Sequence, residues 1–348
     1  MNASKKTAIM YAFLAACFYA INVPVSKLLL THVGETTMAA LLYLGAGVGI
    51  GILSAFRKKE DSRSDKLGRK DLPYVIGMIV LDIAAPIFLM VGIHKGTSAN
   101  ASLLGNFEIV ATTVIALLIF REKVSGRLWL AIGLITISSI LLSFEGDGSF
   151  EFSYGSLFVI AATVCWGLEN NCTRKISSKS TYEIVILKGV FSGLGAFAIA
   201  LVKRESMPKW KYIAIALVLG FVAYGLSIFL YVRAQNVLGA AKTSAYYAVA
   251  PFVGALLSFI VLRETLTWMY LIALVVMVAG AMMVVMDTLA RHHEHVHQHT
   301  FTHTHDGSTH SHTISHSHDH DHYVTDSKHG HRHTKRELER ELGAMHVI

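Results

Sequence analysis

Residues 73–93, PYVIGMIVLDIAAPIFLMVGI, decide the class of this chain. One charged side chain, Asp82, stands in a run that is otherwise apolar or small apart from the ring of Tyr74. A helix needs about 20 such residues to cross about 30 Å of hydrocarbon. Working outward, further runs of the same character lie at 8–30, 36–56, 99–120, 128–144, 154–176, 183–202, 212–234, 243–262 and 268–287. The composition agrees: 53% of the 348 residues are hydrophobic and 16% are charged, against about 25% charged in a soluble domain. The expectation is an all-α integral membrane protein with ten transmembrane helices. The first run reads as a span rather than a cleaved leader, because it is too long and ends without a small-x-small exit.

Charge placement gives the orientation. With the N-terminus inside, the inner segments (the N-terminus, 57–72, 121–127, 173–182 and 233–242) carry 17 Lys and Arg. The outer segments (31–35, 94–98, 145–153, 203–211 and 263–267) carry 6. Basic residues favour the cytoplasmic side, so a multi-pass protein of the cell membrane with both termini cytoplasmic is expected. Segment 203–211, KRESMPKWK, is the exception, being basic on the expected outer side. Loop placement also accounts for the net charge of +7 without a nucleic-acid partner, since no continuous basic face is built. Cys17, Cys165 and Cys172 fall inside apolar runs without disulfide or zinc spacing, and read as small buried hydrophobes.

The two halves resemble each other. Tyr19, Asn22 and Lys27 line up with Trp166, Glu169 and Arg174; Ala99, Ser102, Arg121 and Glu122 line up with Ala241, Ser244, Arg263 and Glu264. Glycines four apart, Gly45/Gly49, Gly47/Gly51 and Gly189/Gly193, let helix backbones approach closely. A unit of five spans is odd, so its second copy enters the bilayer from the opposite face. That is an inverted repeat, an architecture of secondary transporters suited to alternating access. The expected organisation is a first five-helix repeat over 8–144, a second over 154–287 and a tail over 288–348.

Segment 101–124, ASLLGNFEIVATTVIALLIFREKV, resembles the fourth helix of EamA-type proteins of the drug/metabolite transporter superfamily. Glu108 and Glu122 match that helix, while Ile109 stands where the family carries Pro. The second copy, 243–266, keeps Pro251 and Glu264 and has Ala250 at the position of the first Glu. Segments 128–144 and 268–287 resemble the small-residue closing helix of each repeat. The resemblance covers residues 8–287 and implies ten helices in two inverted repeats. It also implies transport of small metabolites, often export of amino acids or related compounds, with no enzymatic activity and no required cofactor.

Charged groups inside spans are costly unless they face a cavity or a partner. Asp82 sits four residues before Pro86, Glu108 lies near Asn106, and Glu169 aligns with Asn22 across the repeat. Two roles are open to these acids: lining a pathway that binds a proton or a cationic substrate group, or a neutral carboxyl bonded within the bundle. The candidate pathway residues are Tyr19, Asn22, Asp82, Asn106, Glu108, Trp166, Glu169 and Tyr246. Tyr246 and Tyr247 project about 100° apart, so one of the two is expected to face the cavity. Asn170 and Asn171 are expected to hydrate near a helix end, and Lys188 either to snorkel to the cytoplasmic interface or to pair with one of the carboxylates. Pro24, Pro86 and Pro251 each free a backbone carbonyl in a span, as a static kink or a hinge. Glu122 and Glu264 read as local pairs with Arg121 and Arg263.

Beyond residue 287 the composition changes. Of 19 histidines, 17 lie in 292–346, many alternating as His-x-His. Such a tract lacks apolar residues for a core, and a disordered tail is expected. Neutral imidazole ligates Zn, Ni, Cu or Co. The candidate metal ligands are His293, His295, His297, His299, His316, His318, His320 and His322. Three functions follow: a secondary transporter, exporting a small organic metabolite and open to proton coupling; a transition-metal ion transporter fed by the tail; and a metal-sensing membrane protein. The spans hold no histidine, which weighs against the second reading. No Walker-type loop is present, so an ion or substrate gradient is the expected energy source. The expected partners are the lipid bilayer, a small-molecule substrate and metal ions on the tail.

Overall fold

The computed structural model describes residues 3–56, 67–120, 125–145, 151–176, 179–238, 243, 246–265, 267–305 and 308–323. It divides into a helical unit ending at Asp287 and the tail from Thr288.

In the helical unit the order is α1 (Ala3–Ala20), α2 (Asn22–Leu29), α3 (Glu35–Ala55), α4 (Leu72–Lys95), α5 (Ser98–Leu104), α6 (Phe107–Phe120), α7 (Gly126–Leu142) and α8 (Tyr154–Ile176). Then come α9 (Thr181–Val202), α10 (Trp210–Gly220), a π-helical turn (Phe221–Leu226), α11 (Ser227–Leu238), α12 (Ala250–Leu262) and α13 (Trp268–Leu289). A two-stranded ribbon, Phe144–Glu145 against Glu151–Phe152, links α7 to α8. Among the described residues, six helical stretches are long and apolar enough to cross a membrane. Their outward faces are apolar, with Val80, Val218, Ile272 and Val275 more than half exposed, which suits lipid rather than water.

Four expected runs are helical but interrupted. Pro24 has no N–H for the carbonyl of Ala20, and α1 passes to α2 through a turn at Ile21. Gly105 and Asn106, both poor helix formers, separate α5 from α6 by two i→i+3 hydrogen bonds, Gly105 N to Ser102 O and Asn106 N to Leu103 O. The run 212–234 widens into the π turn. Pro86 stays inside continuous α4, whereas Pro251 sits in the first turn of α12, where its missing N–H costs nothing. Pro251 therefore starts α12 directly after a turn at Ala248–Val249 that interrupts the run 243–262.

The glycines mark the tightest crossings. A Cβ on Gly189 would strike the backbone of Gly47, and one on Gly47 would lie 2.6 Å from Val190 N, so α3 and α9 touch backbone to backbone. Gly51, four residues on, has nothing within 4 Å, so the expected Gly47/Gly51 pair is not a contact motif. Cys17 is exposed, which corrects the expectation that it is buried; Cys165 and Cys172 are half-buried.

Contacts exchange between the halves in a paired way. α1 packs on α11 and α12, while α8 packs on α4 and α6; α3 meets α9 between them. Ser138 on α7 donates to the carbonyl of Ala273 on α13 at 2.6 Å. One end of the unit is tied by carboxylates. Glu205 accepts from Thr36 N (3.1 Å), Thr37 N (2.8 Å) and Thr37 Oγ1 (2.8 Å), capping α3. Glu264 accepts from Ser98 N (2.7 Å) and Ala99 N (2.8 Å), capping α5 rather than pairing locally with Arg263. Segment 203–205, the exception in the charge count, thus lies at the same end as residues 36–37. Lys27 Nζ donates to the carbonyls of Ile93 (2.6 Å), His94 (3.2 Å) and Gly96 (2.6 Å), the cation expected at a helix C-terminus. Arg121 and Glu122 lie outside the described residues.

The tail differs from the disorder its composition predicts. Ala290–His305 pairs antiparallel with Ser308–Tyr323. Residues alternating with period two can share one face of a strand, so a His-x-His tract has the pattern of a ribbon even without a core. Residues 324–348 lie outside the described residues.

Candidate functional site

Three helices bring charges together in the interior. α4 supplies Asp82 and α8 supplies Glu169, exposed to 0% and 2%, and α9 supplies Lys188. Lys188 Nζ lies 3.2 Å from Asp82 Oδ2 and 3.1 Å from Glu169 Oε1. Of the two roles open to Lys188, the structure has the pairing with carboxylates and not the outward snorkel. Two buried carboxylates without a counter-charge would be far costlier than one lysine stem turned inward. Tyr43 on α3 donates to Asp82 Oδ1 at 2.9 Å, and Trp166 Nε1 donates to Tyr43 OH at 3.4 Å. Thr173, one turn beyond Glu169, donates to it.

A wall of polar aromatics adjoins this cluster. Tyr224, carried on the π turn, accepts from Asn22 Nδ2 at 3.1 Å, and Asn22 Oδ1 accepts from Ser26 Oγ at 3.1 Å. The Tyr224 ring stands 5.3 Å from Tyr43 and 5.9 Å from Tyr19, centre to centre. Asn22 and Glu169, aligned across the repeat, are thereby linked through Tyr224, Tyr43, Asp82 and Lys188. Glu108 on α6 accepts from Asn170 Nδ2 at 2.6 Å. Asn170 is therefore a partner of an acid and not a hydrated helix end; Asn171 likewise turns inward, donating to Gly167 O at 2.8 Å. Of the tyrosine pair, Tyr247 joins the wall, 6.1 Å from Tyr19 and 5.1 Å from Tyr231. Tyr246, the expected one, packs on exposed Phe13 at 5.4 Å.

Asn106, at the break between α5 and α6, is 2% exposed, and its Nδ2 has no hydrogen-bond partner; Ser102 Oγ, one turn earlier, is likewise buried and unpaired. Buried donors are ordinarily satisfied, so two such groups one turn apart are exceptional. Tyr43 is the residue that sequence reasoning missed. Nothing in the pattern of span 36–56 singles it out.

If all three ionise, one ammonium between two carboxylates leaves a negative charge in excess, with Glu108 a further acid nearby. A proton or a cationic group balances such an excess. Among the residues described with side chains, no three His, Cys, Asp or Glu converge on a metal position.

The EamA-like transporter family matches residues 6–144 and 153–286. The chain belongs to that family, within the drug/metabolite transporter superfamily, and is a multi-pass membrane transporter; members of the family are transporters and not enzymes. It is 27% identical over 286 residues to an uncharacterized transporter of Methanothermobacter thermautotrophicus, covering 76% of this chain and 82% of that one. It is 23% identical over 215 residues to the uncharacterized transporter YyaM of Bacillus subtilis, covering 58% and 69%. A solved crystal structure at 16% identity superposes with a TM-score of 0.58, over 80% of this chain and 96% of the other, which shows a shared fold.

Proposed function

We propose that this chain is a secondary transporter that exports small organic metabolites, such as amino acids or related compounds, by alternating access. It crosses the cell membrane ten times as two inverted five-helix repeats, 8–144 and 154–287, with both termini in the cytoplasm. The observation that carries the reading is the Asp82–Lys188–Glu169 cluster, buried where helices of the two halves meet. The paired exchange of contacts supports the inverted repeat, since α1 on α11 is answered by α8 on α4. The breaks at Ile21 and Gly105–Asn106 and the π turn fall at the polar wall, as interrupted helices do around transporter sites. Substrate amino groups have Asp82, Glu169 and Glu108 to meet, and carboxylate groups have Lys188 and the unpaired Asn106 amide. Protons compete for the same acids, which couples transport to a proton gradient.

The test is counterflow in proteoliposomes loaded with amino acids, with and without an imposed pH gradient. Asp82→Asn and Glu108→Gln are expected to abolish the pH dependence, and Glu169→Gln to lower the rate. Rates and pH profiles identical to the parent in all three would overturn the reading.

A further inference from the structure

The tail carries a second site, independent of the transport reading. In the ribbon of Ala290–His305 and Ser308–Tyr323, the register sets His293 opposite His320, His295 opposite His318, His297 opposite His316, and His303 opposite His310. These positions are an even number of residues apart along each strand, so all four rungs fall on one face of the ribbon. The other face takes Glu294 opposite Asp319, then Thr300 opposite Thr313 and Thr304 opposite Thr309. The pairing therefore places most histidine positions on one face and the Glu294, Asp319 and Asp321 positions on the other, where His292 is opposite Asp321. A register shifted by one residue on one strand would mix them.

Directly opposed residues on an antiparallel ribbon have Cβ atoms about 5 Å apart, and successive same-face residues follow at about 7 Å. Two adjacent rungs thus set four histidine positions at a spacing that suits one tetrahedral ion, whose nitrogen ligands stand about 2.0–2.1 Å from the metal. We infer that the ribbon is a binding site for soft divalent ions of the Zn²⁺ and Ni²⁺ class, with the quartet His293, His295, His318 and His320 forming one complete ligand set. Acid carboxylates on the opposite face add no ligand to that set, and the ions are held by nitrogen.

The experiment is Zn²⁺ titration of the full-length protein in detergent against a competing chelator, repeated with Ni²⁺. One variant replaces the quartet His293, His295, His318 and His320 by Ser. A control replaces four histidines outside the ribbon, His329, His331, His333 and His346, by Ser. Loss of a whole four-nitrogen set is expected to weaken the tightest Zn²⁺ site by about tenfold or more and to remove one ion from the stoichiometry. The control is expected to keep that site within about twofold of the parent. Equal losses in quartet and control, or no saturable site in the parent, would overturn the proposal. Counterflow by the quartet variant separates this site from the transport function, since organic-substrate transport is expected to persist.

Discussion

Lys188 reaches Asp82 across the boundary between the halves, ammonium to carboxylate at 3.2 Å, with the acid wholly buried. Removing one member of a buried ion pair leaves the other uncompensated, at a cost of about 3–5 kcal/mol. Lys188→Met is therefore expected to be severely destabilising, measured as the fraction of monodisperse protein after heating in detergent. Adding Asp82→Asn and Glu169→Gln to Lys188→Met removes the stranded charges and is expected to recover most of the loss. A triple variant no more stable than Lys188→Met would refute the pairing.

Glu205 titrates outside the spans. Its burial raises the carboxyl's pKa, but the amide and hydroxyl donors of Thr36 and Thr37 outweigh that and hold it at about 2. The folded value lies below the ordinary carboxylate value of about 4.3, so the stabilisation is complete above that value. It is lost as pH falls from there toward 2. Glu205→Gln is expected to cost about 1 kcal/mol at neutral pH, the scale of a helix cap. It is also expected to flatten the acid limb of a melting curve recorded between pH 5 and pH 2.5. An unchanged acid limb would show that Glu205 does not carry it.

The crossing of α3 and α9 leaves no room for a side chain. Gly189→Val drives its Cβ into the backbone of Gly47, and overpacking costs about 1–3 kcal/mol or more. Gly51→Ala, with open space around it, is expected to be neutral or to stabilise α3 by up to about 1 kcal/mol. Thermal stability of the two purified variants separates a contact glycine from a merely permissive one.

Glu264 holds the first two amides of α5 at 2.7 and 2.8 Å. Glu264→Ala is expected to lower stability by about 1 kcal/mol, while Glu264→Gln, whose amide oxygen still accepts, loses less. Equal losses would point to charge alone rather than capping.

Much of the helical framework is legible in the residues because apolar runs of span length have few other fates. The interior chemistry is less so. Asp82, Glu169 and Asn22 can be picked out as costly groups that need a partner, and each has one. Which partner is a matter of three-dimensional proximity: Lys188 lies near a helix end, where snorkelling and inward pairing are both open until α4 is seen beside it. Asn170 and Tyr247 turn on helix rotation, which one residue's polarity does not set. Glu264 pairs with amides distant in sequence, so neighbouring Arg263 is a misleading cue. The break at Gly105–Asn106 has a composition signal; the π turn, made of Phe, Val, Ala, Tyr, Gly and Leu, has none.

That turn has a structural corollary. A π segment holds one residue more than the regular helix it interrupts, and every position after it is rotated by about 100° relative to an uninterrupted coil. The outlook of Ser227, Tyr231 and the rest of α11 is therefore set by a single surplus residue between Phe221 and Leu226. Winding the same residues as regular α-helix would swing Tyr231 away from Tyr247 and re-face that wall, whereas excising one amino acid there would regularise the helix and leave Tyr231 facing as it does now.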